Sequence, residues 1–187
     1  MESSQKIKER AIVFIDGNNL HRGLMGCYEI ERLDLEPFCQ HIVQERDLRN
    51  IYYADANFLQ SINEETYARQ QSYFNCIRKI KNLIFRKGHY SKYHRPVVEK
   101  KSDVFLATDM VDLCHRDEFD IAYLVSGDAD LIPAIDIVRR EGKQVVNVYF
   151  NFAKRNSRVL LPHCGGLFVD ITKSLAEKYK WEYKKKP

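Results

Sequence analysis

Residues Ala11-Ile12-Val13-Phe14-Ile15-Asp16 form an apolar run without alternation that stops on a carboxylate, followed by Gly17, Asn18 and Asn19. A strand that is apolar at successive positions has to be covered on both faces, which points to a parallel sheet with helices above and below it. Gly17 suits a tight exit that leaves Asp16 at the strand's carboxyl end, where open α/β sheets bind ligands. The plainer alternative is that Asp16 or Asn19 caps the next helix. A second stretch, Ile121-Ala122-Tyr123-Leu124-Val125-Ser126-Gly127-Asp128-Ala129-Asp130, repeats the design. Two parallel strands of this kind deliver both acidic tips to one edge of a sheet.

The rest of the chain supplies the alternating elements such a sheet needs. Residues 19–26 read as a short helix or turn and 34–45 as a helix, with Leu35, Phe38 and Ile42 on one side and Pro37 in its first turn. Residues 49–56 read as a strand ending at Asp55, a candidate surface turn residue, and 64–82 as a long helix. A strand at 83–86 is expected to turn at Gly88 and return as an edge hairpin through Pro96, Val97 and Val98. Further on, 121–128 reads as a strand and 131–141 as a helix capped by Asp130 and closed by Gly142. Residues 145–150 form a strand, 157–161 a short helix, 167–171 a strand and 172–179 a last helix. This alternation predicts a three-layer α/β/α sandwich with a mainly parallel sheet. With 187 residues, 44% of them hydrophobic, one domain is expected, with its core at about 10–172 and a basic tail at 173–187.

No run approaches the ~20 apolar residues that span a bilayer, and no signal-peptide pattern opens the chain, so a soluble, cytoplasmic protein without a membrane partner is expected. Cys27, Cys39, Cys76, Cys114 and Cys164 are odd in number and contain no Cys-x-x-Cys, which predicts reduced core thiols. The neighbours Cys114-His115 and His163-Cys164 are poor metal pairs, since adjacent side chains diverge. The net charge of +4 permits a nucleic acid partner, and its distribution says more. Arg86, Lys87, Lys92, Arg95, Lys100 and Lys101 crowd together with Tyr90 and Tyr93 interleaved, a pattern suited to phosphate contact with some base stacking. Lys154, Arg155 and Arg158 form a second cluster, and the tail lysines read as a solvated face.

Residues 103–116 read as a helix. Counting about 100° per residue from Asp103, Ala107, Val111, Cys114, Val104 and Met110 fall on its side, so Asp103 is expected to face the core at the helix start. Asp112 lies opposite and Asp109 at the border. The competing role for Asp103 is an N-cap.

The tips Asp16-Gly17-Asn18-Asn19 and Ser126-Gly127-Asp128-Ala129-Asp130, with Lys100-x-x-Asp103-x5-Asp109 between them, resemble the NYN domain family, LabA-like members of the PIN-like nuclease superfamily. The resemblance covers about residues 10–172. It implies a PIN-like, Rossmann-like fold and metal-dependent cleavage of RNA by an acidic cluster. It implies further that Asp16, Asp103, Asp128 and Asp130 are the acidic positions and Asn19 a supporting amide, with Asp109 and Ser126 as secondary candidates. Where the family has Lys-Gly-Val-Asp, this chain has Lys100-Lys101-Ser102-Asp103.

Elementary electrostatics agrees with that chemistry. Two carboxylates ~5 Å apart at an effective dielectric near 20 repel by roughly 3 kcal/mol, so three or four together call for a hard cation. Mg²⁺ or Mn²⁺ held by Asp16, Asp103 and Asp128 meets that need and activates water without a Ser or His nucleophile. Together with what the resemblance implies, the expected activity is endoribonuclease cleavage. Two alternatives use the same residues: an RNA-binding module that does not cleave, and a haloacid-dehalogenase-like phosphatase with Asp16 as nucleophile. The phosphatase generally needs a second Asp where this chain has Asn18.

Overall fold

A computed structural model describes residues 8–56, 63–91, 98–100, 102–150 and 159–183. Its centre is a seven-stranded sheet. In chain order the strands are β1 (Arg10–Asp16), β2 (Asp47–Ala56), β3 (Leu83–Ser91), β4 (Val98–Lys100), β5 (Ile121–Val125), β6 (Gln144–Tyr149) and β7 (Phe168–Asp170). In space they run β4-β3-β2-β1-β5-β6-β7, and every neighbouring pair is parallel except β3 with β4. The two acid-tipped strands, β1 and β5, are therefore neighbours at the centre, with Ile15 beside Val125.

Side-chain alternation sorts the sheet into two cores. Val13, Ile15, Tyr53, Tyr123 and Val148 face one side and Ile12, Phe14, Ala54, Leu124 and Val145 the other. The first face is covered by α1 (Gly17–Tyr28), α2 (Leu35–Val43), α3 (Glu64–Ile77) and α6 (Lys173–Lys178). The second is covered by α4 (Ser102–His115) and α5 (Ile132–Arg140). This is the expected three-layer sandwich. Burial on both faces explains why every residue of β1 after Arg10 is buried.

Several local expectations need correction. Gly88 does not turn the chain: it lies inside β3 opposite Ala56, and β3 runs on to pair residues 89–91 with β4. Cross-strand bonding to β4 outweighs the weak strand preference of one glycine. Since β2 ends at Ala56, the β3–β4 hairpin extends past the carboxyl edge of the sheet. Pro96 and Val97 lie outside the described residues. α3 stops at Ile77, because a turn closed by Leu83 N–H to Ile80 C=O feeds the next strand. Within residues 157–161 the described part, from 159, is a series of turns, and the cluster Lys154, Arg155 and Arg158 lies outside the described residues. All five cysteines are free, but Cys76 is exposed because it falls on the outer side of α3. Among the described residues no helix is long and apolar enough to cross a membrane.

Candidate active site at the carboxyl edge

Asp16 follows Ile12 and Phe14 at alternate positions, so it points to the face that α4 covers, and it is 7% exposed. Its Oδ1 accepts the Asn19 N–H at 2.9 Å, which makes it the N-cap of α1. Its Oδ2 accepts the Ser126 hydroxyl at 3.2 Å. Capping and site membership were expected as alternatives; one oxygen makes the cap, and the other ties the end of β1 to Ser126 at the end of β5. Gly17 also has a different task from the one expected. A Cβ there would lie 2.4 Å from the Tyr53 hydroxyl and 2.7 Å from Asp55 Oδ2, so the glycine is required for close approach to β2.

The second tip is tied to the first through neutral groups. Asn19 Oδ1 accepts the Gly127 N–H at 3.1 Å, and Ser126 Oγ accepts the Asp128 N–H at 3.1 Å. The buried Asn147 amide donates to Ser126 C=O at 2.9 Å and fixes the end of β5 from β6. Asp128 Oδ1 in turn accepts the Asp130 N–H at 3.0 Å and caps a 3-10 turn, Ala129–Leu131, ahead of α5. The cap expected of Asp130 therefore belongs to Asp128, because the 3-10 turn starts three residues before the helix proper. Asp130 is exposed. Ser126, given only a secondary place by the sequence, is the hub: 3% exposed, it joins the side chain of Asp16 to the backbone of Asp128.

The third acidic segment is only partly as expected. α4 packs on β1, β2, β3 and the 3-10 turn, and Asp103 stands in its first turn, partly buried. The buried stripe is Ser102, Leu106, Met110, Leu113 and Cys114, while Val104 is 59% exposed. The helix is thus rotated by about a quarter turn from the expected facing. Asp103 and Asp109 flank the core on opposite sides, since Leu106 and Met110 pack more deeply than Ala107 and Val111. Asp109 is committed elsewhere: Arg86 donates to both of its oxygens at 2.8 Å. Arg86, expected to grip RNA, is thereby held against α4, with its guanidinium over the Tyr52 ring. Lys87 is exposed. Lys92, Arg95 and Lys101 lie outside the described residues, and of Lys100 only the backbone in β4 is described.

Among the described residues, no three His, Cys, Asp or Glu side chains gather as a metal-holding group. Asp16, Asp103 and Asp128 are therefore not a closed three-carboxylate cage. The donors are nevertheless hard oxygens, and Mg²⁺ is commonly held by one or two carboxylates with water and substrate phosphate. Asp103 and Asp128 form no ion pair with a described residue. The donor set suits a hard divalent ion completed by substrate.

Sequence reasoning missed the other side of the Asp16 turn. Asp55 is not a surface turn residue: at 2% exposure it accepts the Tyr53 hydroxyl at 2.9 Å and pairs with Arg32 at 3.4 Å. It lies one position past the partner of Asp16, on the face covered by α1, α2 and α3. Burial drives the Tyr53 hydroxyl pKa well upward, with the Asp55 charge adding to the effect. The signal available in the sequence was the acid ending a second strand in the same way as Asp16.

Comparison with known proteins gives two matches. The family model described as NYN domain matches residues 10–171. A crystal structure of a protein of unknown function from Vibrio parahaemolyticus is similar in fold, with a TM-score of 0.69 and 18% identity, covering 92% of this chain and 97% of that one. No curated protein matches the sequence.

Proposed function

Because the chain belongs to the NYN domain family, a family of PIN-like nucleases, we propose that it is a divalent-metal-dependent endoribonuclease working at the Asp16 and Asp128 tips. The observation that carries this reading is the network joining the tips, in which Ser126 bonds both and Asn19 bridges to Gly127. It sets two carboxylates at the ends of adjacent central strands. Asp16 and Asp128 would hold Mg²⁺ or Mn²⁺, with Asp103 from α4 reaching the ion through a water and Asp130 orienting water. When bound, the ion supplies Lewis acidity toward a phosphodiester oxygen and makes water a better nucleophile at neutral pH. Ser126 and Asn19 keep the tips in register, and the basic stretch of sequence with Lys87, Lys92, Arg95, Lys100 and Lys101 attracts the RNA backbone.

The test is to incubate the purified protein with labelled single-stranded RNA and DNA in Mn²⁺, in Mg²⁺ and in chelator. Cleavage of RNA that chelator stops supports the reading. RNA left intact under all conditions overturns it. A second reading, RNA binding without cleavage, is favoured by one observation, the absence of a three-ligand metal group among the described residues. Binding without turnover in the same assay selects it.

A further inference from the structure

Behind the Asp16 turn, on the opposite face of the sheet from α4, lies a cleft of about 530 Å³ whose lining includes Asn18, His21, Arg32, Asp55, Arg69 and Trp181. The size lies within the range of sites that enclose a small organic group. It shares a wall with the acidic edge: Asn18 belongs to the same turn as Asp16 and Asn19, and a Cβ on Gly17 would run into Tyr53 and Asp55.

The chemistry of the walls is neutral in balance and rich in directional groups. Arg32 is paired with Asp55 at 3.4 Å and Arg69 with Glu31 at 2.8 Å, so neither guanidinium needs an outside anion. His21 Nδ1 lies 2.8 Å from Glu31 C=O, and burial, assisted by Arg32, lowers the His21 pKa. The imidazole is then neutral with Nδ1–H donating, which leaves Nε2 as an acceptor. The Asn18 side chain makes no hydrogen bond to a described residue, and its amide carries both donors and an acceptor. Arg69 Nε is buried without a hydrogen-bond partner among the described residues. Trp181 adds a flat aromatic surface braced at 5.1 Å by Tyr73. A phosphate would meet carboxylates here as often as cations. A planar, uncharged group with a donor and acceptor edge fits better.

We propose that this cleft takes one unstacked nucleobase of the RNA, next to the phosphodiester held at the acidic edge, and that Asn18 reads its edge. This rests on the ribonuclease reading and adds base selection to it. Single-stranded RNA is recognised in this way, by splaying a base out, stacking it on an aromatic ring and bonding its edge. The enzyme would then prefer certain bases at one position beside the cut.

Trp181 is the chain's single tryptophan, so its emission reports on the cleft directly. The experiment titrates short single-stranded oligoribonucleotides in chelator into wild type, Asn18→Ala and Thr66→Phe, the last filling the cleft from an exposed position on α3. In parallel, cut sites in a randomised RNA are sequenced in Mn²⁺. The expected result is a saturable emission change in wild type, weaker by about fivefold or more in both variants, with the base preference beside the cut flattened. An emission response that is absent, or unchanged in both variants, overturns the proposal whether or not the protein cleaves. A normal, variant-sensitive response without cleavage overturns the nuclease reading instead and leaves the cleft's role standing.

Discussion

The two edges of the sheet carry acids in opposite ways. At the amino edge, where β1 and β5 begin, Arg10 holds Asp120 through its backbone N–H at 2.8 Å and its guanidinium at 2.7 and 3.1 Å. Asp117 is bonded by both Arg10 and Lys143. The Arg10 hydrogen bond holds the Asp120 carboxyl down at a pKa of about 2, and Arg10 itself is shifted upward. At the carboxyl edge of the same two strands, Asp128 is satisfied by a backbone N–H, and Asp103, Asp128 and Asp130 form no ion pair with a described residue. An acid with its cation built into the chain is a finished structural contact. An acid oriented by neutral donors keeps its charge for a cation that arrives from outside, so under the proposed reading one strand pair supplies a clamp at one end and a metal site at the other.

The comparison breaks most decisively through activity. Asp16→Asn and Asp128→Asn should each lower RNA turnover by a hundredfold or more, on the order of what losing a charge-stabilising group costs. Asp117→Asn, at the clamp, should leave turnover within about twofold, as a surface ion pair is worth little. Near wild-type rates for either carboxyl-edge variant in Mg²⁺ or Mn²⁺ would remove that residue from the site. The hub comes next. Ser126→Ala should cost roughly tenfold to a hundredfold, the usual effect of losing a group that orients a ligand, with the fold retained. The loss should appear chiefly as weaker Mn²⁺ dependence of the rate; an unchanged metal titration with the same loss would make Ser126 a folding residue only.

Much of this difference between the edges could be read in the sequence, and the failures have definite causes. Apolar runs without alternation located β1 and β5 because continuous burial leaves no other option, and the Gly-flanked acids at their ends followed from the same pattern. The rotation of α4 could not be read, because Val104, Ala107 and Val111 are as apolar as Leu106, Met110 and Leu113, and packing on the sheet chose the larger side chains. Asp55 was misread for a related reason: its burial is set by Arg32 and Tyr53, which pattern analysis does not connect to it. The clamp at Asp120 was invisible as well, since Arg10 is 110 residues away in sequence.

The hairpin sharpens the contrast at smaller scale. Lys87 is exposed on β3, whereas its neighbour Arg86 is spent on Asp109. Lys87→Ala should weaken RNA binding a few-fold and reduce the salt slope by about one unit, the signature of one lost phosphate contact. Arg86→Ala should instead lower the melting temperature, because it strands a carboxylate that is 15% exposed. Binding titrations at several salt concentrations beside melts of both variants separate the two; equal slopes for Lys87→Ala and wild type would take the lysine out of the RNA path.

The smallest effect is also the most direct test of the comparison, because the two edges should respond with opposite sign. Neutralising Asp128 removes like-charge repulsion at the carboxyl edge, and since Asn caps a turn as well as Asp does, Asp128→Asn in chelator should leave stability unchanged or raise it by up to about 1 kcal/mol. Asp120→Asn at the amino edge removes a charge that Arg10 and Lys143 attract and should lower stability, by about 1 kcal/mol or less given that the side chain is 38% exposed and partly screened. The pH dependence separates them again. A folded pKa of about 2, below the ~3.9 of an unfolded Asp, means that Asp120 contributes its full stabilisation above about pH 4 and loses it as the pH falls toward 2. The gap between wild type and Asp120→Asn should therefore close over that interval. Urea midpoints of the three proteins at pH 7 and pH 2.5, with chelator, make the measurement. If Asp128→Asn fell as far as Asp120→Asn at pH 7, the carboxyl-edge acid would be as structural as the clamp, and the distinction between the two edges would fail.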